Sequence, residues 1–292
     1  MPTKLNVILS VLTLSACLSL HCAADELADK GREIFKKNQH AVVTVIVVQK
    51  TTYSQEGRTA TPVEARQDLT GTVIDPTGLT VLSLWACDPS EMYKRMMAGR
   101  PGSPKVDTDI TDVKILLSDG TEIPSEIVLR DRDLDLAFIR PKTKLTNSLS
   151  AVDLNKSGKA QVLDQVITLN RLNKAAGRAY SASVERITAV VQKPRTFYIP
   201  DSMMTATALG SPAFTLDGNI LGLNVMRSVG GGDETMRNMR EGVSAIFLPA
   251  EDILKAAKQA PEARGDTKPE ESKDVDSTKG SAEKSDDKSE KK

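Results

Sequence analysis

The chain has 292 residues, with 39 Lys and Arg balanced by 39 Asp and Glu, and a formal net charge of +0. That balance does not indicate a strongly basic nucleic-acid face, and no nucleic-acid partner is expected. With two histidines (His21 and His40) and three cysteines (Cys17, Cys22 and Cys87), it also leaves no Cys/His set for a metal site. No metal and no cofactor are expected.

Residues 1–24 read as an export signal: Lys4, then an apolar run from Leu5 to Leu20 that charge follows too soon for a membrane span. Two processing routes are open. Cleavage after Ala24 has small Cys22 and Ala24 at the recognition positions, whereas Leu14-Ser15-Ala16-Cys17 fits a bacterial lipoprotein box with Cys17 lipidated. Either route leads to the periplasm, the outside or the bacterial envelope. A lipid on Cys17 is the expected membrane contact, if there is one. Cys87 alone belongs to the body, so no internal disulfide is expected.

Residues 25–40 read as an N-terminal helical segment, with Leu27, Ile34 and Phe35 at helical spacing. Ala41 to Val48 is a β-branched run and predicts a buried strand. Lys50 to Asp68 is polar and reads as a loop. Thr70–Ile74, the turn Asp75-Pro76-Thr77-Gly78, and Leu79–Leu84 predict a strand pair. Asp88 to Asp112 shows no period and reads as a helical turn plus a long loop. Val113–Leu117, Ser118-Asp119-Gly120 and Glu122–Leu129 predict a hairpin. Strands are expected at Asp135–Arg140, Gln165–Leu169, Ser181–Gln192, around Phe214 to Val225, and at Val243–Leu248. Ala250–Lys258 predicts a closing helix. Residues 259–292 are Lys, Glu, Asp and Ser with almost no large apolar residue, and are expected to be a disordered, solvated tail. Many short strands with Gly and Asp turns imply an all-β sandwich or a pair of barrels.

Four stretches, in order, resemble HtrA/Deg-type trypsin-like proteases. They are Gly71 to Ser83, Asp131 to Ile139, Leu209 to Asn224 and Gly242 to Ile246, a likeness that runs from Ala41 to about Leu254. The resemblance implies an all-β fold of two six-stranded antiparallel barrels over residues 41–258, with short helices at both ends. The family usually adds a peptide-binding PDZ domain, and none is expected here. Family members often form trimers, but no residue here carries that over.

Protease chemistry needs a hydroxyl nucleophile, a histidine base and an orienting carboxylate, with backbone donors for the oxyanion. On the resemblance, Asp135 holds the carboxylate position. Trp85 stands at the histidine position, where an indole offers a donor and no basic nitrogen; packing in the core is the reading for its ring. Leu209 stands at the serine position and Thr207 at the oxyanion glycine, in a loop that continues Gly210-Ser211-Pro212. Loss of the serine or histidine alone costs about 10⁶ in turnover in a serine protease.

The resemblance with these departures implies a catalytically inactive homologue, binding unfolded or extended polypeptide or a protein partner in the former cleft. Met92, Met96 and Met97, and Met226, Met236 and Met239, either add adaptable surface or pack their own loops. An active serine endopeptidase using Ser211, and a structural envelope protein or lipoprotein, are the alternatives. His40 reads as a surface or capping residue, and Cys87 as a small buried hydrophobe.

Overall fold

The computed structural model describes residues 26–55, 58–88, 90, 105–201, 209–228 and 243–262. The expected export signal, nearly all of the charged tail, Thr207, and the methionines Met92, Met96, Met97, Met236 and Met239 lie outside the described residues.

Among the described residues there are thirteen strands, twelve of which form two closed, six-stranded antiparallel barrels. The first contains β1 (Val42–Gln55), β3 (Val63–Val73), β4 (Thr80–Ser83), β5 (Lys105–Leu116), β6 (Glu122–Asp131) and β7 (Leu136–Pro141). Its ring runs β1-β3-β4-β7-β6-β5 and closes where β5 meets β1. The two-residue β2 (Arg58–Thr59) adds to the far end of β1. The second barrel contains β8 (Gln165–Arg171), β9 (Tyr180–Val191), β10 (Phe197–Pro200), β11 (Pro212–Thr215), β12 (Ile220–Ser228) and β13 (Val243–Pro249). Its ring runs β10-β13-β12-β11-β8-β9. This is the barrel pair that the resemblance implies.

Three apolar clusters follow from strand alternation. Val43, Val45 and Val47 point into the first barrel with Ile115, Ala137 and Ile139. Val166, Ile187, Leu221 and Phe247 fill the second. The third cluster joins the barrels, packing Val42, Val81, Leu136 and Phe138 against Leu169, Phe214, Leu223 and Leu248. Each such side chain contributes about 1.5–3 kcal/mol by leaving water. Helix α1 (26–38) lays Ile34 into this joint, with Leu27 and Phe35 half-buried beside it, as their spacing predicts. Helix α3 (Ala250–Ala257) closes the joint with Ile253 and Ala256.

Polar bonds also cross the joint. Asp68 of β3 pairs with Arg178 at 2.6 Å, and Thr70 Oγ1 donates to Asn170 Oδ1 at 2.7 Å.

Three expectations need correction. Lys50 to Asp68 is not a loop: β1 runs on to Gln55 and β3 begins at Val63, pairing Thr51 with Val63 and Gln49 with Ala65. Likewise, 105–112 is strand, pairing Val106 with Tyr53 and Thr108 with Thr51. Both segments belong to a three-stranded ribbon in which many side chains stay in contact with water, so an apolar run does not mark it. The period-2 pattern of Val106, Thr108 and Ile110 between Asp107 and Asp109 is the signal that was there to read. The predicted strand end at Leu84 is instead a helical turn, α2 (Leu84–Cys87), which Ser83 caps by accepting from Ala86 N–H. Strand β10 has no counterpart in the sequence reading, because Pro194 and Pro200 break up the Phe197-Tyr198-Ile199 run.

Gly222 on β12 sits where a Cβ would come within 1.8 Å of Leu248 O on β13. Gly222→Ala is therefore expected to cost on the order of 3–5 kcal/mol and to lower the melting temperature by about 10 °C or prevent folding. Gly120→Ala is the control: nothing lies within 4 Å of its Cβ, and only its φ of +88° opposes the change. That variant is expected to lose only about 1–2 kcal/mol. Thermal melts followed by circular dichroism read both.

Candidate functional site

The centre of the site is one carboxylate. Asp135 lies just before β7 with φ +58°, a left-handed conformation that Asp tolerates better than most residues. Its carbonyl accepts from Leu84 N–H at 3.0 Å. Its Oδ1 accepts from Trp85 N–H at 2.6 Å. Its Oδ2 accepts from the Ser83 hydroxyl at 2.6 Å and from Met226 N–H at 2.7 Å. Asp135 thereby ties β7 to the end of β4 and to α2 within the first barrel, and to β12 across the joint.

Asp135 is 8% exposed. Burial pushes its carboxyl up to about 6, against the pull of the bonds from Ser83, Met226 and Trp85. Those partners are one hydroxyl and two backbone N–H groups, and none carries a positive charge.

Trp85 meets Asp135 through its backbone, so this contact does not depend on the side chain at that position. The expected core packing of its ring is not what the structure has. Leu84 and Cys87, three apart, take the buried side of α2, which leaves Trp85 partly buried on the other, outside the three apolar clusters.

Leu209 is 2% exposed. It precedes a turn pinned to the first barrel. Gly210 has φ +88°, and a Cβ there would lie 2.3 Å from Thr70 O, so only glycine fits. Gly210 N–H donates to Asn224 O at 2.7 Å, and its carbonyl accepts from Thr72 Oγ1 at 2.8 Å. Ser211 is 2% exposed, and its Oγ has no hydrogen-bond partner among the described residues. No lysine or histidine nitrogen reaches it there.

His40 lies on the surface, in a short turn (Gln39–Ala41) before β1, with its ring edge-on to Tyr180 at 5.4 Å. Cys87 is fully buried, and burial pushes its thiol up to about 12. That is the small buried hydrophobe the sequence suggests, and it is not a nucleophile near neutral pH.

Two partners of Asp135 escaped the sequence reading. Ser83 carries a detectable signal, a serine placed before a short helical turn. Met226 carries none, since it acts through its backbone; it belongs to β12 and not to the loop assigned to it with Met236 and Met239.

A carboxyl whose folded pKa is raised stabilises the fold below its unfolded pKa and loses that contribution as pH rises through the folded value. For Asp135 the window runs from 3.8 to about 6. The stability difference between the native chain and Asp135→Asn should therefore shift against the native chain by about 1 kcal/mol between pH 5 and pH 7. Urea melts at the two pH values measure it, and a pH-independent difference would contradict the burial argument. Separately, Cys87 should resist a maleimide at pH 8 in the folded chain and react fully in denaturant, as read by intact mass.

Residues 69–223 match the trypsin-like peptidase domain. The match spans just over half of the chain, from the end of β3 into β12, and takes in Trp85, Asp135 and Gly210. The comparison with curated proteins gave no match. With the two barrels and the joint between them, this establishes that the chain belongs to the trypsin-like peptidase domain family.

Proposed function

We propose that this chain is an exported HtrA/Deg-type homologue that does not cleave peptide bonds, and that it binds extended or unfolded polypeptide in the cleft where its relatives cleave. In this reading Asp135 is the retained carboxylate of the triad, Trp85 stands at the histidine position and Leu209 at the serine position. Thr207, Gly210 and Ser211 belong to the former oxyanion loop.

The observation that carries the reading is the set of partners around Asp135. In serine proteases such a carboxylate orients a histidine that accepts the nucleophile's proton. Here three of its roughly four lone-pair sites take Ser83 O–H and the N–H groups of Trp85 and Met226, and no histidine or lysine nitrogen among the described residues takes the remaining one. Among the described residues, no base follows it in the chain of bonds. The burial of Leu209, and of Ser211 with its unpartnered Oγ, supports the same reading.

The part of Trp85 that stays exposed gives the proposed cleft an apolar contact, and amphipathic aromatic surface of this kind favours binding of extended chains. The chain has one tryptophan, so its emission reports this position alone.

The test titrates the protein with a tryptophan-free unfolded polypeptide, following both its integrity and Trp85 emission. The expected result is an intact polypeptide and a blue-shifted, saturable emission change. A W85H/L209S variant that cleaves the polypeptide would show in addition that the cleft geometry is preserved. No emission change would sink the binding proposal, and cleavage by the native chain that is lost in Ser211→Ala would establish the active-protease alternative.

A further inference from the structure

Strand β1 has β3 on one side and β5 on the other. Strand β3 meets β4 only at Thr72 and Val73. From Val63 to Gln67, the side of β3 facing away from β1 therefore has no strand partner among the described residues. An edge of this kind presents backbone N–H and C=O groups to any strand that can align with it. Val63 is 58% exposed, and Glu64, Ala65 and Arg66 are exposed as well.

The charges on this edge follow a pattern. Side chains alternate along a strand, so Glu64 and Arg66 stand on one face. Two copies of Val63-Glu64-Ala65-Arg66-Gln67 laid antiparallel and centred on Ala65 set Glu64 of each opposite Arg66 of the other. Centring on Glu64 or on Arg66 instead sets like charges opposite each other. Residues directly opposite across an antiparallel pair interact, favourably for unlike charges and unfavourably for like ones. The sequence thus singles out one two-fold register.

The residues are also available for it. Glu64 makes no ion pair among the described residues. Arg66 touches Glu122 at 3.2 Å on the surface, but Glu122 keeps Lys114 at 2.9 Å if Arg66 turns away. The next charge along, Asp68, is held by Arg178 within the chain and marks where the free edge ends.

We infer that two copies of this chain pair antiparallel along β3, centred on Ala65, joining their first barrels into a continuous sheet. This surface is independent of the triad positions and of the cleft.

Sedimentation equilibrium on the full chain tests it, with far-UV circular dichroism confirming the fold of each variant. The native chain should show a concentration-dependent mass rising to twice that of the monomer, weakened by salt. E64R and R66E should each weaken association by about tenfold or more, because each puts like charges opposite twice. The double variant E64R/R66E restores unlike pairs and should recover the native association. A native chain that stays monomeric at every concentration would overturn the inference. So would single reversals that leave dimerisation unchanged, or a double variant no better than the singles.

Discussion

The structure turns on a carboxylate buried with no cation beside it among the described residues. Asp135 ties together a strand end, a helical turn and a strand of the other barrel through four hydrogen bonds, three of them to its side chain. Removing a charge from water costs free energy that hydrogen bonds recover only in part. The raised pKa of Asp135 expresses that shortfall. A fold selected for stability alone has little reason to keep such a group. On the proposed reading, Asp135 is the triad carboxylate of the trypsin-like peptidase family.

On the proposed reading, what surrounds Asp135 explains how the scaffold tolerates Trp85 and Leu209. The bond from position 85 comes from a backbone N–H, so an indole can stand there with the carboxylate held in place. The turn after Leu209 is fixed by Gly210, whose N–H and carbonyl bond to Asn224 and Thr72 and whose missing Cβ leaves room for Thr70 O. Backbone geometry on both sides of the joint is thus set by groups that do not take part in bond cleavage. On the proposed reading, chemistry could be lost from this fold one side chain at a time while the barrels and the joint stayed intact, leaving a cleft suited to holding a chain.

Much of the fold was legible in the sequence. Turns announced themselves wherever a residue type was physically required, as at Gly78 and Gly120, both with positive φ. The buried strands showed as β-branched or apolar runs, and Asp135 was found because a motif surrounds it. The rest was hidden for definite reasons. The ribbon formed by the outer ends of β1, β3 and β5 intersperses its few apolar residues, such as Val63, Val106 and Ile110, with polar ones, so it looked like loop. The ring of Trp85 was expected in the core on composition, but the i, i+3 burial of Leu84 and Cys87 decides its side of the turn. Met226 contributes an N–H, and a backbone donor leaves no trace in residue identity.

On the proposed reading, no side chain in this site is an activated nucleophile. Incubation of the native chain with a fluorophosphonate probe, followed by intact mass and peptide mapping, tests it most directly, because the probe needs an activated hydroxyl and no knowledge of the substrate. The account predicts an unmodified chain after prolonged exposure. A stoichiometric adduct on one serine, Ser211 above all, would contradict it and show that a base reaches a hydroxyl in this site.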